Sequence, residues 1–145
     1  ASAAGLYTTA RPHGAMEWLT QELALESAGD ALRSHLLPLL ARRNDPRGLA
    51  IALRIALDAR GGDGGRAAAA KEIGVLGRGS PAARAALEGL LGSPTWRVRR
   101  EAIGGLAALR DPSSLAALRA LHARSTLVPE LIAIESACQT LEGDG

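Results

Sequence analysis

RVRREAIGGLAALRDPSSLAALRALHARS, residues Arg97 to Ser125, decides the fold. Leu106 and Leu109 close one apolar stripe, Arg110-Asp111-Pro112 interrupts it, and Leu115, Leu118 and Leu121 open a second. Spacings of three residues put each set on one face of a helix, and a proline after an aspartate marks a turn followed by a new helix start. The motif is therefore a helix-turn-helix, and it returns along the chain roughly every 33 residues, a period that belongs to repeat architectures. Aligning Leu40, Leu76 and Leu109 holds the register, with the variation falling in the turns. A unit of this kind cannot bury its apolar face alone and must stack on its neighbours, so what the sequence specifies first is a surface.

Outward from that stretch, the 145 residues divide into repeats over about 30–60, 64–92 and 95–124, with flanking helices over about 12–27 and 127–141. The predicted fold is all-α, one solenoid domain of about three and a half to four helix pairs. Pro12 opens the first flanking helix on Met16, Leu19, Leu23 and Leu25. Asp30 caps a helix running to about Arg43, which Pro38 should kink. Asn44-Asp45-Pro46 turns the chain into a partner helix to about Ala59, on Leu49, Leu53, Ile55 and Leu57. Gly61-Gly62-Asp63-Gly64-Gly65 reads as a loop; a phosphate cradle would need a preceding strand and a Gly-Lys-Ser or Gly-Lys-Thr. A helix from about Arg66 to Leu76 follows, and Ser80, ahead of Pro81, should cap a short helix through Leu91. Ser93-Pro94 opens the third repeat, with Trp96, Val98, Ile103, Leu106 and Leu109 available to the core and Arg97, Arg99, Arg100 and Glu101 turned outward. The last helix carries Leu131, Ile132, Ile134, Cys138 and Leu141 and caps the stack.

Composition narrows the function classes. With 47% hydrophobic residues, 2% aromatics and no Phe, the core must be built from Ala, Leu, Ile and Val in closely packed helices. The formal charge is only +2, and sixteen Arg against one Lys, Lys71, read as the codon usage of a GC-rich bacterial genome rather than a nucleic-acid-binding composition. The lone Cys138 makes no internal disulfide and reads as a small buried hydrophobe. No apolar run reaches the roughly 18 residues of a membrane span, so a soluble domain is expected, the cytoplasm being favoured without the compartment being fixed. The opening Ala1-Ser2-Ala3-Ala4 reads as a domain cut from a longer protein.

No catalytic residue, cofactor site or metal site is assigned. His13, His35 and His122 stand alone, with no second His four residues away. An interaction face is the remaining candidate: Trp96, Arg97, Arg99 and Arg100 in the third repeat, with Arg42, Arg43 and Arg47 earlier in the chain. Converged on one strip, these would suit phosphate contacts with strong salt dependence. Glu72, Glu88, Glu101 and Asp111 are interleaved, and only Tyr7, Trp18 and Trp96 could stack, which argues against nucleic acid and for an ordinary solvated face.

Arg97-Val98-Arg99-Arg100-Glu101-Ala102-Ile103 followed by Leu106-Ala107-Ala108-Leu109-Arg110-Asp111-Pro112 resembles the HEAT-like repeat of bacterial scaffold domains. The resemblance implies antiparallel helix pairs in a right-handed α-α superhelix that holds another macromolecule. A second resemblance spans about Trp18 to Leu141: Glu17-Trp18-Leu19, Asp30-Ala31-Leu32-Arg33, Asn44-Asp45-Pro46-Arg47-Gly48-Leu49-Ala50, the run Ala67-Ala68-Ala69-Ala70-Lys71-Glu72-Ile73-Gly74-Val75-Leu76-Gly77, Ala86-Leu87-Glu88-Gly89-Leu90-Leu91 and Trp96-Arg97-Val98-Arg99 look like the C-terminal helical domain of bacterial aminopeptidase N-like zinc metallopeptidases. That family implies a noncatalytic bowl over a catalytic domain upstream in the same polypeptide. Gly14-Ala15-Met16-Glu17 matches four residues of the family's substrate-amine motif, but Trp18 replaces its Asn and the segment lies in an amphipathic helix, so no site is carried over. Three readings follow: a cap domain of a larger zinc aminopeptidase, a freestanding scaffold for a protein or peptide, and, against the charge pattern, a nucleic-acid binder.

Overall fold

A computed structural model describes residues 37–39, 42, 46–58 and 60–143. The expected helix over 12–27, most of the one after Asp30, and the consequence of Pro38 for its axis lie outside the described residues. Within them the chain is helical throughout: α1 (Pro46–Leu57), α2 (Asp63–Leu76), α3 (Pro81–Leu90), α4 (Trp96–Leu109), a 3-10 turn (Pro112–Ser114), α5 (Leu115–Arg124) and α6 (Val128–Gly143).

The turn chemistry sets these boundaries. Ser80 Oγ accepts from the Ala83 amide at 3.1 Å with Pro81 in the first turn, the cap expected of this pair. Asp111 accepts from the Ser113 amide at 2.9 Å and starts the 3-10 turn, after Arg110 has left α4 in the left-handed region at φ 56°. The predicted Gly61–Gly65 loop needs correction: α2 begins at Asp63, and Gly64 and Gly65 are buried inside its first turn. Glycine costs about 1 kcal/mol in a helix interior. Against that cost, Asp63 supplies an acid at the helix N-terminus, where the dipole favours it.

The long helices α2, α4 and α6 lie side by side in one layer. In the second layer, α1, α3 and α5 each pack on the long helix that follows them. The helices α2 and α4 run parallel and in register. Thr95 Oγ1 donates to Asp63 Oδ2 at 2.7 Å at their N-terminal ends, and at their C-terminal ends the backbone of Gly77 lies against Leu109. Between these ends the backbones touch, since a Cβ on Gly74 would lie 2.7 Å from Gly105 Cα. No other pair of described helices is in such extensive contact; α6 meets α4 less closely, and α3 and α5 barely meet. The stack is tight in the middle and open toward α6.

The core is aliphatic, as composition requires: Leu37, Ile73, Leu87, Ile103, Leu106, Leu118, Ile134 and Leu141 are fully buried. Val98 and Leu109 are buried as expected, and Trp96 is half-buried against the cluster. Two residues placed on apolar stripes turn outward instead, Leu57 at 64% and Ile132 at 60% exposure. In α1 the buried stripe is Gly48, Ile51, Ala52, Ile55 and Ala56, while the expected Leu49 and Leu53 are half-buried.

Candidate functional site

The first turn of α4 carries four of the residues singled out from sequence, and the structure separates their roles. Arg97 and Arg100 are exposed, Arg100 lying 3.4 Å from Glu101. Arg99 is not an outward residue: its side chain is only 15% exposed and its guanidinium lies 5.9 Å from the centre of the Trp96 ring, within cation-π range. Its Nε donates to Glu130 Oε2 at 2.5 Å and its Nη1 to the Ser93 carbonyl at 3.0 Å. Glu130, buried in the first turn of α6, also accepts from Ser125 Oγ at 2.6 Å, and that oxygen in turn accepts from the Leu127 amide. Burying two charges is tolerable only when each is paired and hydrogen-bonded, and this network meets that condition. Sequence reading missed Glu130; the signal was its separation of 31 residues from Arg99, close to one repeat.

Arg42 and Arg47 are exposed, and Arg43 lies outside the described residues. A connection of only five residues, 58–62, folds α1 back along α2, so Arg47 at the start of α1 faces the C-terminal end of α2. Because α4 runs parallel to α2, Arg97–Arg100 sit at the opposite end of the layer, roughly 20 Å away at 1.5 Å per helical residue. Arg47 therefore lies at the opposite end of the layer from Arg97, Arg99 and Arg100.

A different surface is continuous in chemistry. The exposed residues described on α1, α3 and α5 are Arg47, Ala50, Arg54, Leu57, Pro81, Ala82, Ala85, Gly89, Ala116, Arg119, Ala120, Ala123 and Arg124, with no exposed acid among them. Glu88 is half-buried and held by Arg84 at 3.3 Å, while Arg84 Nε also lies 3.3 Å from Asp111 Oδ2 without hydrogen-bond alignment. The short-helix layer thus presents an alanine-rich face whose own exposed charges are basic, with Glu135 and Glu142 of α6 meeting it along the edge of α5. Where α3 and α5 part, a cleft of about 420 Å3 opens, bounded by the ends of those helices and reaching down to Arg99 and Glu130. A second depression, of about 370 Å3, lies between α5 and α6, where His122 Nε2 meets Glu135 at 3.1 Å and Arg119 Nη2 meets Glu142 at 2.5 Å.

The ionisable groups fit a structural setting. Burial pushes the Cys138 thiol up, away from the reactive thiolate form, although the residue is half-buried rather than fully enclosed. The Thr95 hydroxyl, then Arg66, holds the Asp63 carboxyl below the ordinary range, and the Ser113 amide does the same for Asp111. Burial raises Glu72, on α2. Among the described residues no group of three His, Cys, Asp or Glu side chains gathers as a metal site would require, and His13 and His35 lie outside them. No described helix is long and apolar enough to cross a membrane.

No curated protein sequence matches the chain. Among solved structures, a chain of the complex of CpcE and CpcF of phycocyanin lyase from Nostoc sp. PCC7120 is similar in fold, with a TM-score of 0.70 over 92% of this chain and 94% of that one at 21% identity. The sequence profile of HEAT repeats matches residues 63–136, from the start of α2 into α6 and about half of the chain. With its two-layered α-α superhelix and its parallel long helices in register, the chain belongs to the HEAT-repeat family.

Proposed function

We propose that this chain is a noncatalytic interaction domain that holds a protein or peptide partner on the face of its short helices. The observation that carries the reading is the exposed surface of α1, α3 and α5, where alanines and a glycine leave room for close approach and the exposed charges are Arg47, Arg54, Arg124 and Arg119, the last paired with Glu142 of α6. Exposed helix faces of globular proteins ordinarily mix both signs; a smooth face of one sign suits a partner of the other. That the similar solved structure comes from a complex of two proteins fits the reading.

The test is partner capture with the purified chain and two variants checked for helicity by circular dichroism. Ala85→Glu places an acid in the middle of the face, whereas Lys71→Glu alters charge on the exposed side of α2. Capture by the unaltered chain and by Lys71→Glu, with loss in Ala85→Glu, supports the assignment. Equal capture by all three removes it. Retention of duplex or single-stranded DNA at low salt that disappears at high salt would point to nucleic acid instead. Stoichiometric zinc binding with cleavage of aminoacyl reporters would overturn the noncatalytic reading. Attachment to an upstream zinc aminopeptidase draws on the sequence series alone, and a His-Glu-x-x-His with a downstream Glu in the preceding reading frame is what it requires.

A further inference from the structure

We propose that the cleft between α3 and α5 is a binding site for a single carboxylate carried on an apolar body, with Arg99 as its fixed anchor and Arg124 as its mobile second donor. The proposal deepens the partner-binding reading by naming the group the partner contributes.

Arg99 is prepared for this. Glu130 occupies its Nε-H and the Ser93 carbonyl one Nη1-H, so the guanidinium cannot swing, while Nη2 makes no hydrogen bond among the described residues. One Nη1 proton and both Nη2 protons remain as donors for a carboxylate, the geometry in which guanidinium–carboxylate bonds are strongest being two at once. Arg99 lines the cleft together with both of its hydrogen-bond partners, Ser93 and Glu130. Arg124, exposed at the end of α5, lines the same cleft and makes no ion pair among the described residues. A guanidinium held in place loses little freedom on binding, and one at the rim can close over the ligand.

Charge fixes the class of anion. Two guanidiniums and the Glu130 carboxylate share the cleft, leaving one net positive charge. A monoanion balances it; a dianion would be driven against Glu130. The walls fix the rest: Leu91, Leu121 and Leu127 border the cleft and offer the ligand's body an apolar contact. A volume of about 420 Å3 lies within the ~300–1,000 Å3 usual for ligand pockets and is ample for one amino-acid residue. The carboxylate can come from a partner's acidic side chain or from its chain terminus.

The experiment is amide-proton NMR titration of the full chain at low ionic strength with three probes: N-acetyl-leucine, N-acetyl-glutamic acid α-amide and inorganic phosphate. The expected result is saturable shifts at Ser93, Thr126 and Leu127 with a carboxylate probe, at a dissociation constant on the order of millimolar. Stronger binding of N-acetyl-leucine assigns the chain terminus; stronger binding of the glutamate amide assigns the side chain. Arg124→Ser should weaken the carboxylate about fivefold without changing the fold. Arg99→Lys, which keeps the charge beside Glu130 but removes the guanidinium donors, should weaken it as well. Absence of saturation, affinity unchanged in both variants, or tighter binding of phosphate than of either carboxylate overturns the assignment. Partner capture through the Ala85 face is read separately, so failure here and failure of the interaction reading are distinguishable.

Discussion

Two glycines on neighbouring long helices carry opposite constraints. Gly74 lies where α2 touches α4, and a methyl group there would be driven into the Gly105 backbone, which cannot move aside as a side chain can. Gly104, on the exposed side of α4, would receive the same methyl group in open space. Gly74→Ala should therefore destabilise by about 1–3 kcal/mol, the usual cost of overpacking. Gly104→Ala should stabilise by up to ~1 kcal/mol through helix propensity alone. Urea denaturation of both variants checks the pair. Glu72 supplies a pH-dependent counterpart. Burial raises its carboxyl above 4.5, so as pH climbs from that value the unfolded chain ionises first and stability falls until the folded carboxyl ionises too. Glu72→Gln should raise the melting temperature at pH 7, with the gain shrinking toward pH 4.

The elements show which local rules prevailed. Ser80 is a cap in sequence and in space, and Ser80→Ala should cost about 1 kcal/mol, read as a lower urea midpoint with an unchanged slope. The helix starts at Ser80-Pro81 and Asp111-Pro112 were legible because a capping side chain and a proline act within a few residues of each other. The start of α2 was not legible, since Gly62-Asp63-Gly64-Gly65 follows loop chemistry locally and is overridden by what buries Gly64 and Gly65. Arg99 was misplaced for the same kind of reason. Its charge grouped it with Arg97 and Arg100 on a solvated face, although helical phase sets it on the side of the buried Ala102 and Ile103, and its pairing depends on Glu130 in the next repeat. What the chain shows locally is where helices begin; which polar side chain is enclosed depends on neighbours the local pattern does not contain.

At the scale of the molecule, Arg99 and Glu130 link the third repeat to the terminal helix across the more open joint of the stack. Glu130→Gln should destabilise by ~3 kcal/mol, because it leaves a largely buried guanidinium without its counter-charge. The double replacement Arg99→Met, Glu130→Leu should recover most of that loss, since neither charge then remains to be compensated. Chemical denaturation of the three chains measures both statements. The repeat period and the aliphatic composition made the superhelix readable in advance, whereas the cleft arises from how far α3 and α5 part, a distance that no periodicity encodes.

The glycine contact between α2 and α4 also has a mechanical side. Where two backbones meet, no rotamer can yield between them, so these helices should respond to load as a single stiff plate. Compliance is left to the α4–α6 joint, where the two helices are in less extensive contact and the Arg99–Glu130 pair bridges them. Any bending of the protein should therefore be concentrated beside the cleft, and tightening that joint would stiffen the molecule as a whole.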